Sequence, residues 1–419
     1  MSQPDRLDPK TAEWMRAPAT RKVVEALQSE APDMARFVGG CVRNALMGVA
    51  VDDIDIATPL HPDAAVKALQ EAGLHVVPTG IAHGTVTAIA DGVPFEVTSL
   101  REDIETDGRH AKVIFGTDWE KDSARRDFRF NAIYADPETG ALYDPQHGIS
   151  DALNGVVAFV GDPQTRIKED YLRILRYFRF FAWYGKGRPD RESVKACARL
   201  KDGMSALSAE RVWKELEKLL AAPDPSKALR WMRTAEVLQV ILPESIHVDR
   251  ACALIALEHE MDWPPDPLLR LMAMVDARRW AEIAKRLKLS NAQKNRLKAW
   301  HDAGEVNPDE DYMDVSRRFY RKVVAGYVDA ARIAMGTLDE HDRRKVQDLM
   351  EFAQEWERPV FPVRAKDLMN EGYSGGRELG DLLWALEDEW IRSGFALSRS
   401  ELIAKIGNLG TGGKSGGKG

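Results

Sequence analysis

Hydrophobic and polar positions follow one rhythm in the first part of the chain and another in the rest. Between Arg36 and Phe159 short apolar runs recur at 36–40, 54–58, 84–90, 93–100, 131–136 and 156–161, punctuated by Gly, Pro and Asp. Runs of this kind bounded by turn residues predict strands. Alternation in Phe95-Glu96-Val97-Thr98 predicts a strand with one wet face. The stretch 64–73 has helical spacing and closes on Gly73, so it reads as a helix between strands. Residues 1–20 read as a polar leader with weak helical character. After Gly161 the period lengthens. Leu172, Leu175, Phe178 and Ala182 keep helical spacing, as do Val212, Leu216, Leu219 and Leu220. The remainder predicts helix after helix, broken at Pro223–Pro225, Pro243, Pro264–Pro267, Asn307–Pro308 and Pro359–Pro362. No fixed-period repeat stands out, which argues against a solenoid. The last residues, GTGGKSGGKG, read as a flexible tail.

Composition narrows the class. At 419 residues the chain has room for about three domains. With 44% hydrophobic and 30% charged residues it is neither collagen-like nor wholly disordered. A net charge of -7 argues against a wholesale basic coat for nucleic acid but leaves room for local basic stripes. Two such stripes exist, one between Arg166 and Arg191 and one between Arg278 and Lys298; a solvated helix face is the simpler account of the second. No apolar run reaches the ~18 residues of a membrane span, and the N-terminus has no signal-like core. Cys41, Cys197 and Cys252 suit neither a disulfide framework nor a zinc site. A reducing, cytoplasmic compartment with no membrane partner is the expectation, and no protein partner is inferred.

Four short segments carry candidate chemistry. Gly39-Gly40 follows Phe37-Val38 and precedes a helix-like stretch, so the backbone there can approach a phosphate and Arg43 lies one turn further on. A simple strand-to-helix turn explains a lone Gly-Gly as well. Asp53 and Asp55, at i and i+2 of a predicted strand, share a face, with Ile54 and Ile56 turned to the core. Two adjacent carboxylates suit Mg²⁺, which binds through hard oxygens and substrate phosphates. Glu96 is either a third carboxylate or an ordinary surface glutamate. In Arg125-Arg126-Asp127-Phe128-Arg129-Phe130-Asn131-Ala132 the adjacent arginines need an anionic partner, and Asp127 and Asn131 are spaced for one helical face or a capped turn. In Glu169-Asp170-Tyr171-Leu172-Arg173, Asp170 and Arg173 are helical neighbours. They form either a local salt bridge or a base reader. A carboxylate accepts from an exocyclic amine and a guanidinium donates to a ring nitrogen, so the pair would accept C and A and reject U and G.

Taken in order, these motifs resemble the class II tRNA nucleotidyltransferases, the CCA-adding enzymes and their bacterial poly(A) polymerase relatives, within the DNA polymerase β-like superfamily. The stretch from Thr98 to Arg179, with Thr106-Asp107-Gly108-Arg109-His110, is similar to the mitochondrial-type enzymes in particular, and Ser208 to Leu216 resembles the next helical motif. The resemblance implies an α+β fold: a polymerase β-like head with a mixed sheet over 1–160, then an all-α neck (161–225), body (226–305) and tail (306–405), with 406–419 as a flexible end. It implies Mg²⁺ on Asp53 and Asp55. It gives nucleotide contacts to Gly40, Arg43, Arg126, Asp127, Asn131 and Arg176, base templating to Asp170 and Arg173, and support to Glu169, Glu210, Arg211 and Glu215. Residues 101–118, including Asp107, Gly108 and Arg109, match the family's flexible loop. The implied reaction is addition of CCA to the 3′ end of tRNA from CTP and ATP, with the helical parts gripping the acceptor stem and elbow; poly(A) addition is the nearest alternative. Two departures stand out: Asn44 where the family usually has aspartate, and Arg129 where it usually has threonine. His301-Asp302 and His341-Asp342 hint at an HD-type phosphohydrolase, but surface helix residues explain them better.

Overall fold

The computed structural model describes residues 3–406 apart from 9, 11, 30, 82, 83, 108, 109 and 323. The chain divides into two compact units, 1–248 with 265–267, and 249–264 with 268 onward.

The first unit is built on a mixed seven-stranded sheet. Its elements begin with α1 (Pro18–Leu27), β1 (Arg36–Val38), α2 (Gly40–Met47), β2 (Asp55–Thr58) and α3 (Pro62–Glu71). Next come β3 (His75–Gly80), β4 (Thr85–Ala90), β5 (Val93–Ser99), β6 (Arg101–Asp107) and β7 (His110–Phe115), then α4 (Trp119–Ala124), β8 (Tyr134–Ala135) and β9 (Leu142–Tyr143). The sheet order is β3-β4-β5-β2-β1-β8-β9. Only β2 and β5 run parallel, with Asp55 beside Glu96; the other pairs are antiparallel. On β4 and β5 Val86, Ala88, Phe95 and Val97 are buried, as alternation predicts. The end of the stretch read as a leader, residues 18–20, opens α1, and its Ala19 and Thr20 are buried.

Several expected strands are shorter or absent. The run 156–161 is no strand: Phe159 makes a single isolated bridge to Phe128 and packs its ring at 4.9 Å from that phenylalanine. Of 131–136 only Tyr134–Ala135 is strand, because Arg129–Asn131 turns as a 3₁₀ segment. The stretch expected as a loop at 101–118 contains the two-stranded ribbon β6–β7. Gly108 and Arg109 lie outside the described residues, and Asp107 is placed by its backbone pairing with His110.

Helices follow: α5 (Gly148–Asn154), α6 (Pro163–Glu169), α7 (Leu172–Tyr184), α8 (Arg191–Leu200), α9 (Ala209–Leu220), α10 (Ser226–Thr234) and α11 (Val237–Ile241). Asp162 caps α6 by accepting from Thr165 N at 2.8 Å, with Pro163 in the first turn, where its missing N–H costs nothing. Helix α7 is apolar on most of its surface and packs against α9. Its Phe178, Tyr177 and Ile174 are fully buried.

The regular secondary structure among the second unit's described residues is all helix. It comprises α12 (Val248–Glu260), α13 (Pro267–Met274), α14 (Trp280–Arg286), α15 (Asn291–Ala303) and α16 (Tyr312–Arg321), then α17 (Val324–Met335), α18 (Glu340–Glu355), α19 (Ala365–Asn370), α20 (Arg377–Arg392) and α21 (Arg399–Ala404). One core gathers Val315, Phe319, Tyr327 and Val346, and another Tyr320, Leu386, Trp390 and Leu402. Among the described residues no helix is long and apolar enough to cross a membrane.

Candidate active site

The β1–α2 turn sets the site. Gly39 has φ +74°, a left-handed conformation that side chains disfavour. A Cβ there would lie 3.5 Å from Asp55 Oδ2, 3.8 Å from Arg126 Nη1 and 3.9 Å from the Asn131 carbonyl. Asp55 of the expected acidic pair, the second arginine and the Asn131 backbone therefore meet at this glycine, although Asn131 is 92 positions away in the chain from Gly39.

Asp55 is the first residue of β2, whereas Asp53 is exposed and precedes the strand. Ile56 is buried as expected, but Ile54 only partly so. The Asp55 carboxyl is pushed up to about 6 by burial, then by the negative charges of Glu96 and Asp53, with Arg126 and Arg43 pulling the other way. Glu96 is thus an electrostatic neighbour of Asp55, as the parallel register requires. Excess negative charge beside a hard-oxygen donor set fits a divalent cation. Among the described residues no three His, Cys, Asp or Glu side chains are gathered to hold an ion by themselves.

The two arginines near this turn are held in different ways. Arg126 donates to Asp122 Oδ2 from Nη2 at 3.1 Å, and Arg125 donates to Asp122 Oδ1 from Nε at 2.8 Å. Tyr134 donates its hydroxyl to Asp122 Oδ2 at 2.6 Å. Burial opposes the Asp122 charge, but Arg126, Arg125 and the tyrosine hydroxyl hold the carboxyl at about 2. Burial likewise opposes the charge of Arg126, while Tyr134 and Asp122 raise it. The partner that adjacent arginines require is therefore Asp122, three and four residues back. The spacing is that of one helical turn.

Arg43 is buried, at 5% exposure, yet among the described residues no carboxylate lies within 4.0 Å of its guanidinium. It donates to Asn131 Oδ1 at 2.5 Å, to Asn44 Oδ1 at 2.9 Å and 3.2 Å, and to the Tyr184 hydroxyl at 2.9 Å. Burial pulls it below its ordinary value, and Tyr184 and Asp127 offset this. Asn44 thus supplies a neutral acceptor where an aspartate would supply a charged one, and its amide donates to Ala50 O at 2.8 Å. The other departure also finds its partner: Arg129 pairs with Asp151 at 2.7 Å.

Asp127 and Asn131 form the link to the helices. Asn131 Nδ2 donates to Asp127 Oδ1 at 3.2 Å, and Arg176 Nε donates to Asp127 Oδ2 at 2.8 Å. Burial opposes the Asp127 charge, but Arg176 and Asn131 bring it to about 2. Glu215, buried on α9, lies 3.2 Å from Arg179 and 4.0 Å from Arg176.

Asp170 and Arg173 are neither helical neighbours nor a salt bridge. Asp170 sits in extended conformation at the break between α6 and α7. Its Oδ1 accepts from Leu172 N at 3.1 Å and its Oδ2 from Arg211 at 2.6 Å. Arg173 is anchored through Nη1 alone, to Glu169 and to Arg166 O at 2.8 Å. A guanidinium forks five N–H groups, and each carboxylate oxygen has two lone pairs. Both side chains are therefore oriented yet keep hydrogen-bonding capacity. Arg166, which also donates to Glu169 at 2.9 Å and to Ala124 O, was missed by sequence reasoning. Glu210 is exposed in the first turn of α9. Asp302 pairs with Lys298 and Asp342 with Lys345 on helix surfaces, which leaves the HD reading without support.

The first unit thus carries a mixed sheet with Asp55 against a glycine turn, followed by helices. Residues 35–158 match the family profile "Poly A polymerase head domain", and 188–247 match "Probable RNA and SrmB- binding site of polymerase A". The mitochondrial CCA tRNA nucleotidyltransferase 1 of Mus musculus is 34% identical over 395 residues, covering 88% of this chain and 86% of that protein. The fold is that of the Bacillus stearothermophilus CCA-adding enzyme in complex with CTP (TM-score 0.69, 22% identity, 96% and 98% of the two chains). The Thermotoga maritima CCA-adding enzyme complexed with tRNA_CCA gives a TM-score of 0.65 at 18% identity, over 97% of each chain. The chain belongs to the class II family of CCA-adding enzymes and poly(A) polymerases, and it is a nucleotidyltransferase.

Proposed function

We propose that this protein adds CCA to the 3′ end of tRNA from CTP and ATP, using the side chains around Gly39 for transfer and Asp170 with Arg173 for choosing the base. The observation that carries the reading is the meeting of Asp55, Arg126 and the Asn131 backbone at Gly39. Asp53 and Asp55 would hold Mg²⁺, with the charge of Glu96 adding to the pull. Bound there, magnesium supplies positive charge that lowers the pKa of the attacking hydroxyl and offsets charge on the leaving oxygens. In each cycle the tRNA 3′-hydroxyl releases its proton to solvent and its oxygen forms a bond to the α-phosphorus, while the bond from that phosphorus to its bridging oxygen breaks and pyrophosphate leaves.

Arg43, buried among neutral acceptors, keeps positive charge for the triphosphate. Arg126, tethered to the Asp122 carboxylate that it shares with Arg125, shapes the site beside it. Asp170 and Arg173 present an acceptor and donors to the Watson–Crick edge of C or A, with Arg211 and Glu169 keeping them in place. Arg176, Asp127 and Asn131 tie this reader to the head. The ribbon β6–β7 supports the switch from C to A, and the helical parts hold the acceptor stem and elbow largely by shape and phosphate contact. The three free, buried cysteines suit a reducing compartment, and we place the activity in the cytoplasm.

The test offers tRNAs ending in the discriminator base, in CC or in CCA to each nucleotide separately and sizes the products. Growth that stops at CCA is the expected result. A long A ladder would instead mark a poly(A) polymerase.

A further inference from the structure

Helix α7 touches the head at both ends. Arg176 near its start reaches Asp127, and Tyr184 at its end reaches Arg43. Between them Phe180, four residues from each, packs its ring 5.5 Å from Phe130 and 5.3 Å from Phe128. Arg176, Phe180 and Tyr184 therefore make one stripe, and the chain of contacts Arg176–Asp127–Asn131–Arg43–Tyr184 closes a ring through the head and back to the same helix. Arg43 lies over the Tyr184 ring at 4.1 Å, so the tyrosine meets it with both its face and its hydroxyl. The end of α7 is itself fixed: Gly155 (φ +65°) has no room for a side chain, a Cβ lying 2.8 Å from Tyr184 O, and Gly155 O accepts from Lys186 N at 2.8 Å.

Counting donors shows what this does. Of the five N–H groups of Arg43, Asn44 takes one from Nε and one from Nη2, Tyr184 takes the other from Nη2, and Asn131 takes one from Nη1. A single Nη1 donor is left, so its direction is set by the acceptors of the other four.

We propose that Tyr184 is a positioning residue that aims the remaining donor of Arg43 at a phosphate of the incoming nucleotide. This rests on the function proposed above. Because the triphosphate is common to CTP and ATP, losing the aim weakens both nucleotides equally and leaves base choice intact. Asp170 and Arg173, in contrast, act on base choice.

The experiment compares kcat, KM for CTP and ATP, and the C/A-over-U/G ratio in the wild type, Y184F, R43K and R43K/Y184F. Y184F keeps the ring and removes the hydroxyl. KM for both nucleotides is expected to rise about tenfold, the worth of one hydrogen bond to a charged group, with kcat and selectivity unchanged. The double variant is expected to be no worse than R43K, since the aim of a group already lost cannot matter. Wild-type KM in Y184F, a loss confined to kcat, or a shift in base choice each overturns the proposal. Should Y184F lower the thermal midpoint, the double variant decides: losses that simply add overturn it. A wild-type protein that incorporates neither nucleotide overturns the proposed function instead.

Discussion

Each unit of this molecule buries a guanidinium, and the two are treated in opposite ways. Arg270 of α13, 1% exposed, is met by the carboxylate of Glu258 on α12, with Nε at 2.7 Å from Oε2. Arg43 of α2, 5% exposed, meets amide oxygens, a hydroxyl and aromatic faces. Removing a cation from water is costly, and a carboxylate at contact distance repays much of that cost within the fold. Neutral acceptors repay less and leave the charge attractive to an outside anion. The same residue type thus serves as an internal strut in one unit and, in the function proposed here, would serve as a receptor in the other.

This contrast can be broken or sharpened by substitution. The largest effect is expected from D53A/D55A, which should abolish nucleotide incorporation while tRNA binding, read by filter retention, persists; residual incorporation near wild type would remove the acidic pair from the chemistry. Next, E258A and D122A should each cost about 3–5 kcal/mol of stability, because each strands buried positive charge. E258A should leave the nucleotide KM of the surviving folded protein unchanged, whereas D122A should raise it by loosening Arg126. Denaturant titration and kinetics on the same samples separate the two outcomes. A smaller effect follows from D170A or R173A, which should erode C/A-over-U/G choice by about 1–3 kcal/mol per unpaired group, with triphosphate affinity little changed.

The smallest is a pH effect. The Asp55 carboxyl, raised to about 6, carries a proton below that value which a cation must displace. Magnesium affinity should be flat above about pH 6 and weaken by at most about 1.4 kcal/mol per pH unit below it, the free energy of one proton. For the same group, stability in the absence of metal is greatest below its ordinary value of 3.8 and is lost as pH rises through about 6. Calorimetric titration with MgCl₂ across this range checks both the midpoint and the sign.

The sequence was legible where periodicity and chemistry coincide. Alternation in β4 and β5 and the helical rhythm after Gly161 stand in the fold as read, whereas of the DxD only Asp55 lies on β2 and Ile54 is only partly buried. It misled where a long-range partner overrode a local pattern. The apolar run 156–161 looks like a strand, yet it spends its side chains on Phe128 and Tyr177. Asp170 and Arg173 have helical spacing, but Asp170 is drawn to Arg211 across 41 positions, which no local rule contains. Tyr184 and Tyr134 offered no signal at all, because a tyrosine's hydroxyl partner is set by tertiary approach. Asp122 is different: its spacing of three and four to Arg125 and Arg126 is a local, helical one that the sequence does carry.

The parallel pairing of β2 with β5 carries a last implication. Side chains on neighbouring strands alternate between faces, so slipping β2 by one residue would send the Asp55 carboxylate inward and bring Ile56 out. What forbids the slip is greasy, not acidic: Ile56, Phe95 and Val97 must stay dry. The oil-filled side of the sheet is therefore the ruler against which the cation-seeking oxygens are measured, and a methyl group misplaced there would be felt as an error in chemistry.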